Sequence, residues 1–178
     1  HLLSRRQRQM CIRDSSMRTL MNKDKYKVTF NHAFEQVIRN CSKLRIEQEG
    51  AWLGEEMIEA YIRMYEQNLA ASVEVWEGDK LVGGLYGVTL GTCFFGESMF
   101  SLVPNASKLA LICLAKILEQ TGGLFIDCQF ETPHLKSMGG EHISYDRYMD
   151  ILNRRTTSES AAHAPQHSQT EPLPDTGN

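Results

Sequence analysis

The spacing of hydrophobic and polar positions changes several times along the chain, and each change predicts a new element. Residues 72–76 ("SVEVW") alternate at every second position, as in a strand, whereas apolar residues recur every three or four positions over 54–67, as on one helix face. The whole pattern predicts strands over 26–30, 72–76, 80–90, 92–100 and 123–129, and helices over 31–40, 54–67, 107–120, 134–138 and 144–152. Three of these strands follow one another with short turns, which predicts an antiparallel meander in an α+β fold, a mostly antiparallel sheet with packed helices.

The pattern also separates a folded part from two ends of the chain. Residues 1–15 have no periodicity, cap or turn signal, so we interpret them as a non-native leader without regular structure. Residues 154–178 are rich in Ser, Thr, Pro and His and have little to bury, which predicts a disordered tail. We therefore expect one folded domain over 16–153, with no signal peptide and no apolar run long enough to span a bilayer.

Charge and cysteine content indicate the setting of the protein more than its chemistry. The net charge of −3 combines a basic first third, with 11 Lys/Arg against 5 Asp/Glu in residues 1–50, with an acidic remainder. The basic part either faces a polyanion such as nucleic acid or is a solvated surface. The five cysteines contain no C-x-x-C pair and the histidines lack ligand spacing, so we predict no disulfide framework and no metal site, and a reducing cytoplasmic setting is favoured.

One carboxylate is unusual because it lies within an apolar strand. Glu97 stands between Gly96 and Ser98 in "GTCFFGESMFS", residues 91–101. An unpaired carboxylate inside a core is strongly unfavourable, so such a residue is exposed, paired or functional. The strand pattern leaves these three possibilities open.

A second polar cluster ends the apolar run over 123–129. Asp127 and Gln129 are two residues apart, so on an extended strand they share a face. If this strand end lies beside Glu97, two carboxylates and an amide converge at an aromatic and methionine-rich wall, which suits a ligand pocket. The alternative is structural, with Asp127 capping the next segment and Glu97 paired with a surface cation.

Other candidate residues are ambiguous or uninformative. Trp52 lies in a loop beside a glycine and is either a core residue or a platform on which a nucleobase stacks. Cys93, Cys113 and Cys128 have no evident base partner, so we interpret them as core residues. No Gly-rich phosphate-binding pattern occurs between a strand and a helix.

A set of short motifs resembles the leucyl/phenylalanyl-tRNA–protein transferases. The motifs are "LVGGLYGV" (81–88), "GESMFS" (96–101), "NASK" (105–108), "IDCQ" (126–129), and His134 followed by "SMGG" (137–140). The resemblance covers about residues 16–152 and extends upstream through "YKVTFNHAFEQVI" and "GAWLGEEMIEAY". It implies a catalytic domain with the α+β fold of GCN5-type N-acyltransferases.

The resemblance also implies an activity and its partners. Such an enzyme moves Leu or Phe, and also Met, from aminoacyl-tRNA to the α-amino group of proteins that begin with Arg or Lys, and so marks them for degradation. It needs no metal or coenzyme, because the ester that joins the amino acid to tRNA is already activated. A cytoplasmic monomer without membrane attachment is expected.

The family's site residues carry over to positions of this chain. By resemblance, Asp127 and Gln129 are the residues that act in peptide-bond formation, and Trp52 stacks on the terminal adenosine of tRNA. The aminoacyl pocket is implied to consist of Leu85, Phe94, Gly96, Glu97, Met99 and Ile126. In this interpretation Glu97 binds either the α-ammonium of the donor or the basic side chain of the acceptor.

One departure from the family and two rival functions remain. The smaller N-terminal domain of the family, with an R-G-x-F-P-W motif, is not found in this sequence, so we expect the chain to be a fragment. A CoA-dependent N-acetyltransferase of the same fold would need a glycine-rich pyrophosphate nest, where this chain has "VPNASK". A non-catalytic module that binds tRNA or protein is the other alternative.

Overall fold

The computed structural model describes residues 2–3, 25–49, 54–129, 132–138 and 140–154. In chain order the elements are β1 (Leu2–Leu3), β2 (Lys27–Phe30), α1 (Phe34–Glu49), α2 (Glu55–Glu66), β3 (Ala70–Glu77), β4 (Lys80–Leu90), β5 (Cys93–Ser101), α3 (Ala106–Gln120), β6 (Phe125–Asp127), α4 (Pro133–Ser137), β7 (Gly140–Glu141) and α5 (Tyr145–Arg154). The predicted elements are present, but α1 continues to Glu49 instead of ending near residue 40. Most of the predicted leader, the predicted tail and Trp52 lie outside the described residues, and the predicted domain limits stay predictions.

The strands form one mixed sheet in the order β2-β3-β4-β5-β6-β1-β7. Strands β3, β4 and β5 make the predicted antiparallel meander, and β2 pairs antiparallel with β3. Strand β6 then joins β5 in parallel, because α3 carries the chain back across the sheet. Two consecutive parallel strands need such a crossover connection. The antiparallel arrangement of β2 to β5 therefore ends at β6.

Helices cover both faces of the sheet, so the domain has three layers. On one face α3 packs against strand residues that include Val73, Val82 and Leu85. On the other face α1 and α2 pack against residues that include Tyr86 and Phe100. Side chains on both sides of a strand are therefore buried, which explains the long apolar runs of β4 and β5.

The start of α1 is organised by a buried carboxylate and not by a capping bond from the side chain of Asn31. Asn31 has φ 55 and its side-chain oxygen accepts the N–H of Ser72, 2.9 Å away, so it ties β2 to β3. The backbone N–H groups of His32 and Ala33, just before α1, instead donate to Glu74 at 3.4 Å. Glu74 is fully buried on β3 and holds the entry to this helix.

The two ends of α3 are held by different contacts. Asn105 precedes the helix with φ 68 but makes no capping bond with its side chain, whereas Ser101 accepts the N–H of Ser107 at 3.1 Å. Gly122 follows the helix with φ 77, and the N–H of Gly123 donates to the carbonyl of Leu118. A glycine in the left-handed conformation after the last turn is a common way for a helix to end.

Replacing Gly83 by Ala is expected to destabilise the domain by about 1–3 kcal/mol through overpacking. A Cβ on Gly83 would lie 2.5 Å from the Cβ of Ala106 and 3.0 Å from its backbone carbon, so α3 would have to move off β4. Urea unfolding followed by circular dichroism measures the change. Gly54→Ala is the matched control, since a Cβ there meets nothing within 4 Å. This variant should lose less than about 1 kcal/mol in the free energy of unfolding.

Candidate active site

The sheet opens between its two parallel strands. Strands β5 and β6 pair through Cys93–Phe125, Phe94–Ile126 and Phe95–Asp127, and the pairing ends there. Strand β5 continues to Ser101 without a described partner on that side, while β6 stops at Asp127. Gly96 lies at the fork, where an added Cβ would be 3.4 Å from the carbonyl oxygen of Asp127. The separation leaves room for a ligand between the two strands.

A cavity of about 300 Å³ fills this opening. All six predicted pocket residues line it, namely Leu85, Phe94, Gly96, Glu97, Met99 and Ile126. The rest of its wall consists of Arg45, Tyr86, Ser98, Leu111, Cys128, Gln129, Thr132 and Leu135. Because the wall includes residues from both helix-covered faces of the sheet, the cavity has an apolar side towards α3 and a more polar side towards α1.

Glu97 is directed into this cavity by a β-bulge. The register between β4 and β5 runs from Tyr86–Ser98 directly to Gly87–Gly96, so Glu97 is an extra residue without a cross-strand partner. A bulge interrupts the alternation of side chains and turns one of them aside, and bulges occur often beside active sites. The half-buried carboxylate therefore lines the cavity although the simple strand pattern does not specify its direction.

Tyr61 on α2 is the neighbour of this carboxylate. Its hydroxyl is within hydrogen-bonding reach of Glu97. Burial, and then the negative charge of Glu97, raises the pKa of Tyr61 to about 12, so the phenol stays protonated and can donate to the carboxylate. The sequence left Glu97 as exposed, paired or functional. The structure places it half-buried on the cavity wall, where the Tyr61 phenol can donate a hydrogen bond to it.

Asp127 and Gln129 lie together, but not in the predicted way. The strand ends at Asp127, and Gln129 has φ 60, so the two side chains do not share the face of an extended strand. The Oδ1 atom of Asp127 accepts the backbone N–H of Gln129 at 2.8 Å, which fixes this left-handed residue. Gln129 lines the cavity, whereas Asp127 is not part of its wall.

The second oxygen of Asp127 is held by α5. The Tyr148 hydroxyl donates to Oδ2 at 3.1 Å, and the ring of Tyr148 packs near Phe125. Burial raises the pKa of the Tyr148 phenol, and the hydrogen bond to Asp127 raises it further. With one oxygen on Gln129 and the other on Tyr148, the carboxylate has a fixed orientation behind the cavity.

Cys128 is the thiol nearest to this chemistry, and it is not activated. Burial raises its pKa to about 11, with a smaller contribution from Asp127, so it is protonated at neutral pH. A protonated thiol is a poor nucleophile, which agrees with the interpretation of Cys128 as a packing residue. Among the described residues, no group of three or more His, Cys, Asp or Glu could hold a metal ion.

Sequence reasoning missed the polar residues that α1 and α5 bring to the site. Arg45 lines the cavity from the last turns of α1, beyond the point where this helix was predicted to end. The available signal was Leu44, the residue before Arg45. It is partly buried against the core and continues the helical spacing of apolar residues from Cys41, which indicates a longer helix. Tyr148 had no sequence signal, since only its contact with Asp127 distinguishes it from an ordinary core residue. Trp52 was also predicted for the site and lies outside the described residues.

The arrangement of strands and helices is an α+β fold that a solved structure shares. The crystal structure of a possible acetyltransferase from Clostridium difficile 630 matches with a TM-score of 0.52 at 10% identity, over 68% of this chain and 94% of that chain. The predicted fold class is thereby confirmed.

The sequence comparisons identify the family. Residues 7–153 match the model of the leucyl/phenylalanyl-tRNA protein transferases, and the chain belongs to that family. The leucyl/phenylalanyl-tRNA–protein transferase of Flavobacterium johnsoniae is 48% identical over 141 residues, which are 79% of this chain and 66% of that protein. The protein of the same name from Hydrogenovibrio crunogenus is 44% identical over 151 residues, 84% of this chain and 59% of its own length. The chain thus spans less than two thirds of these curated relatives. None of the helices that the structure describes is long and apolar enough to cross a membrane.

Proposed function

We propose that this chain carries the catalytic domain of an aminoacyltransferase that moves Leu or Phe, and also Met, from aminoacyl-tRNA to proteins with N-terminal Arg or Lys. The modified proteins are thereby marked for degradation in the cytoplasm. The observation that carries the proposal is the cavity in the split sheet, which combines an apolar wall with Glu97 and Gln129. Membership of the family supports the same activity.

The apolar side of the cavity suits the donor side chain. Leu85, Phe94 and Ile126 are almost fully buried there, and Leu111 of α3 closes the end. The whole cavity has a volume of about 300 Å³, at the small end for ligand pockets, so its apolar side fits one amino-acid side chain. By the family resemblance, this side admits Leu, Phe and Met, which are unbranched at Cβ, and fits the second Cβ substituent of Ile or Val poorly.

The chemistry needs positioning more than activation of the donor. The acceptor α-amine, in its neutral form, attacks the ester carbonyl carbon, and a C–N bond replaces the C–O bond to the terminal ribose. The proton lost by nitrogen passes to the departing ribose oxygen, so no outside acid, base or coenzyme is consumed. The Gln129 side chain, exposed at the cavity wall, can accept a hydrogen bond from the amine and aim it, and Asp127 acts as a positioning residue through its bond to the Gln129 backbone. Trp52 is proposed to stack on the terminal adenosine.

The acceptor is recognised by its positive charge. Glu97 is the carboxylate in the cavity wall, so we assign it to the Arg or Lys side chain of the acceptor. A CoA-dependent reaction is less well supported, because the N–H of Ser107 at the start of α3 is already bound by the Ser101 hydroxyl and the preceding loop lacks glycine. A non-catalytic module is the remaining alternative, and an assay separates it from the enzyme.

The proposal is tested by mass spectrometry of a peptide with N-terminal Arg after incubation with Leu-tRNA. The Flavobacterium johnsoniae relative is longer than this chain. The 178-residue chain is assayed alone, and a second protein is assayed in which the N-terminal segment of that relative is fused to it. We expect the peptide to gain one leucyl residue with the fused protein. If neither protein transfers while the relative does so under the same conditions, the proposed function is wrong.

Changing Glu97 to Gln is expected to lower kcat/KM for peptides with N-terminal Arg or Lys by about tenfold or more, since a charge-assisted hydrogen bond becomes a neutral one. The measurement is the initial rate over a range of peptide concentrations with Leu-tRNA saturating. Glu66→Gln, on the exposed end of α2, is the matched control and should leave the rates unchanged. Equal rates for Glu97→Gln and the wild type would remove Glu97 from acceptor binding.

A further inference from the structure

The polar side of the cavity contains a buried hydroxyl that has no partner. Tyr86 lines the cavity, its side chain is 0% exposed, and its hydroxyl has no hydrogen-bond partner among the described residues. The ring itself is fixed, with T-shaped contacts to Phe34 at 5.9 Å and to Tyr61 at 5.2 Å between centroids. The hydroxyl therefore cannot turn away to reach solvent.

An unpaired buried hydroxyl is unfavourable for folding. A buried polar group without a partner loses its hydrogen bonds to water and gains none, and native proteins have few of them. Phe would fill the same volume without this loss. The position of Tyr86 in a cavity wall suggests that its partner is a ligand.

The surroundings of this hydroxyl offer hydrogen-bond acceptors, among them the Glu97 carboxylate, to a ligand with several N–H donors. Ser98 lies directly opposite Tyr86 on β5, and the bulged Glu97 is the next residue. Besides burial, the groups that raise the pKa of Tyr86 above its usual range are Cys41, Tyr61 and Glu97, and Arg45 of α1 has a weaker opposing effect. The hydroxyl thus stays protonated, and it lies near Cys41 of α1, Tyr61 of α2 and Glu97 of β5, whose sulfur and oxygen atoms can accept hydrogen bonds from a ligand.

We propose that Tyr86 is a specificity-determining residue, whose hydroxyl oxygen accepts a hydrogen bond from the guanidinium of an acceptor with N-terminal Arg while Glu97 binds the same group. This proposal rests on the proposed function and deepens it. A guanidinium spreads five N–H donors over three nitrogens in one plane, so it can bridge acceptors on the neighbouring strands β4 and β5. An ammonium holds its donors on one atom, so Lys depends on Glu97 alone.

The test is the substitution Tyr86→Phe. We expect kcat/KM for an Arg-starting peptide to fall about tenfold, the size of one hydrogen bond to a charged group, while that for a Lys-starting peptide falls less than about threefold. The melting temperature should be unchanged or higher, because the variant loses no hydrogen bond within the protein. An unchanged Arg-to-Lys ratio, or a lower melting temperature, overturns the proposal.

Tyr65→Phe is the matched control. The Tyr65 hydroxyl donates to the Asn31 carbonyl at 2.7 Å, so its loss should lower the melting temperature without changing the Arg-to-Lys ratio. A change of that ratio in Tyr65→Phe would contradict the assignment to Tyr86.

Direct binding separates this proposal from the proposed function. In the 178-residue chain with labelled tyrosines, argininamide should shift the Tyr86 ring resonance, and norleucinamide, which has the same α-amine but lacks the guanidinium, should not. A shift in this chain with no transfer by the fused protein leaves the arginine site intact and contradicts the transferase. Transfer to Arg peptides with no shift and no effect of Tyr86→Phe contradicts the site alone.

Discussion

Asp127→Asn is expected to lower kcat for transfer from Leu-tRNA by about a hundredfold while the KM for the acceptor peptide stays the same. Asn keeps the size of the side chain but loses its charge, and its single oxygen cannot serve both Gln129 and Tyr148 as the carboxylate does. Gln129, with φ 60, then loses the fixed conformation that points its amide at the amine. Single-turnover kinetics with preformed Leu-tRNA measure this step separately from tRNA binding.

Tyr148→Phe is the graded control for this prediction. It removes the hydrogen bond to Oδ2 and keeps the carboxylate and its bond to Gln129, so the loss in kcat should be below about tenfold. If Asp127 is a positioning residue, Asp127→Asn lowers kcat more than Tyr148→Phe does, and neither variant changes KM. If Asp127→Asn transfers at the wild-type rate, Asp127 has no part in peptide-bond formation. Urea unfolding of both variants excludes a general loss of structure.

Glu74→Ala should have the largest effect on stability, a loss of about 3–5 kcal/mol in the free energy of unfolding. Glu74 is 0% exposed, and its carboxylate accepts the hydroxyls of Thr29, at 2.6 Å, and Ser72. The N–H groups of His32 and Ala33 before α1 also donate to it. Truncation leaves these buried donors without an acceptor and releases the start of α1 from the sheet. Chemical denaturation in urea measures the loss.

Glu77→Ala is the matched control on the same strand. Its carboxylate pairs with Lys25 at 3.1 Å, but both side chains are largely exposed, so the expected loss is below about 1 kcal/mol. Glu74→Gln keeps the shape and one acceptor oxygen, and its effect should lie between the two. Equal losses for Glu74→Ala and Glu77→Ala would show that the buried network contributes nothing beyond an exposed pair.

Most elements of the fold were predictable because their signals are local. The alternation in 72–76 and the turn at Gly78, which has φ 58, specify the hairpin of β3 and β4. The glycine that ends α3 is equally local. Glu74 shows the limit of such reasoning. Its alternation with Val73 and Val75 places it on the other face of the strand, but only the packing of α1 there makes that face a second interior.

The candidate site was predictable as a set of residues, and less so as a geometry. The six residues assigned to the pocket through the family resemblance all line one cavity. Arg45 and Tyr148 were missed, because each belongs to the site through a helix that reaches it from elsewhere in the chain. The roles assigned to Asp127, Gln129 and Glu97 stay predictions until the variants are measured.

By itself the sequence determined the order and type of the elements, the α+β class and the family. These follow from short-range periodicity, turn chemistry and motifs, which are properties of neighbouring residues. Only the tertiary structure decided where the side chains point at the site. The bulge at Glu97, the turn at Gln129 and the unpaired hydroxyl of Tyr86 depend on the register between strands and on what packs behind them. Register is set by contacts between distant parts of the chain, so local pattern cannot specify it.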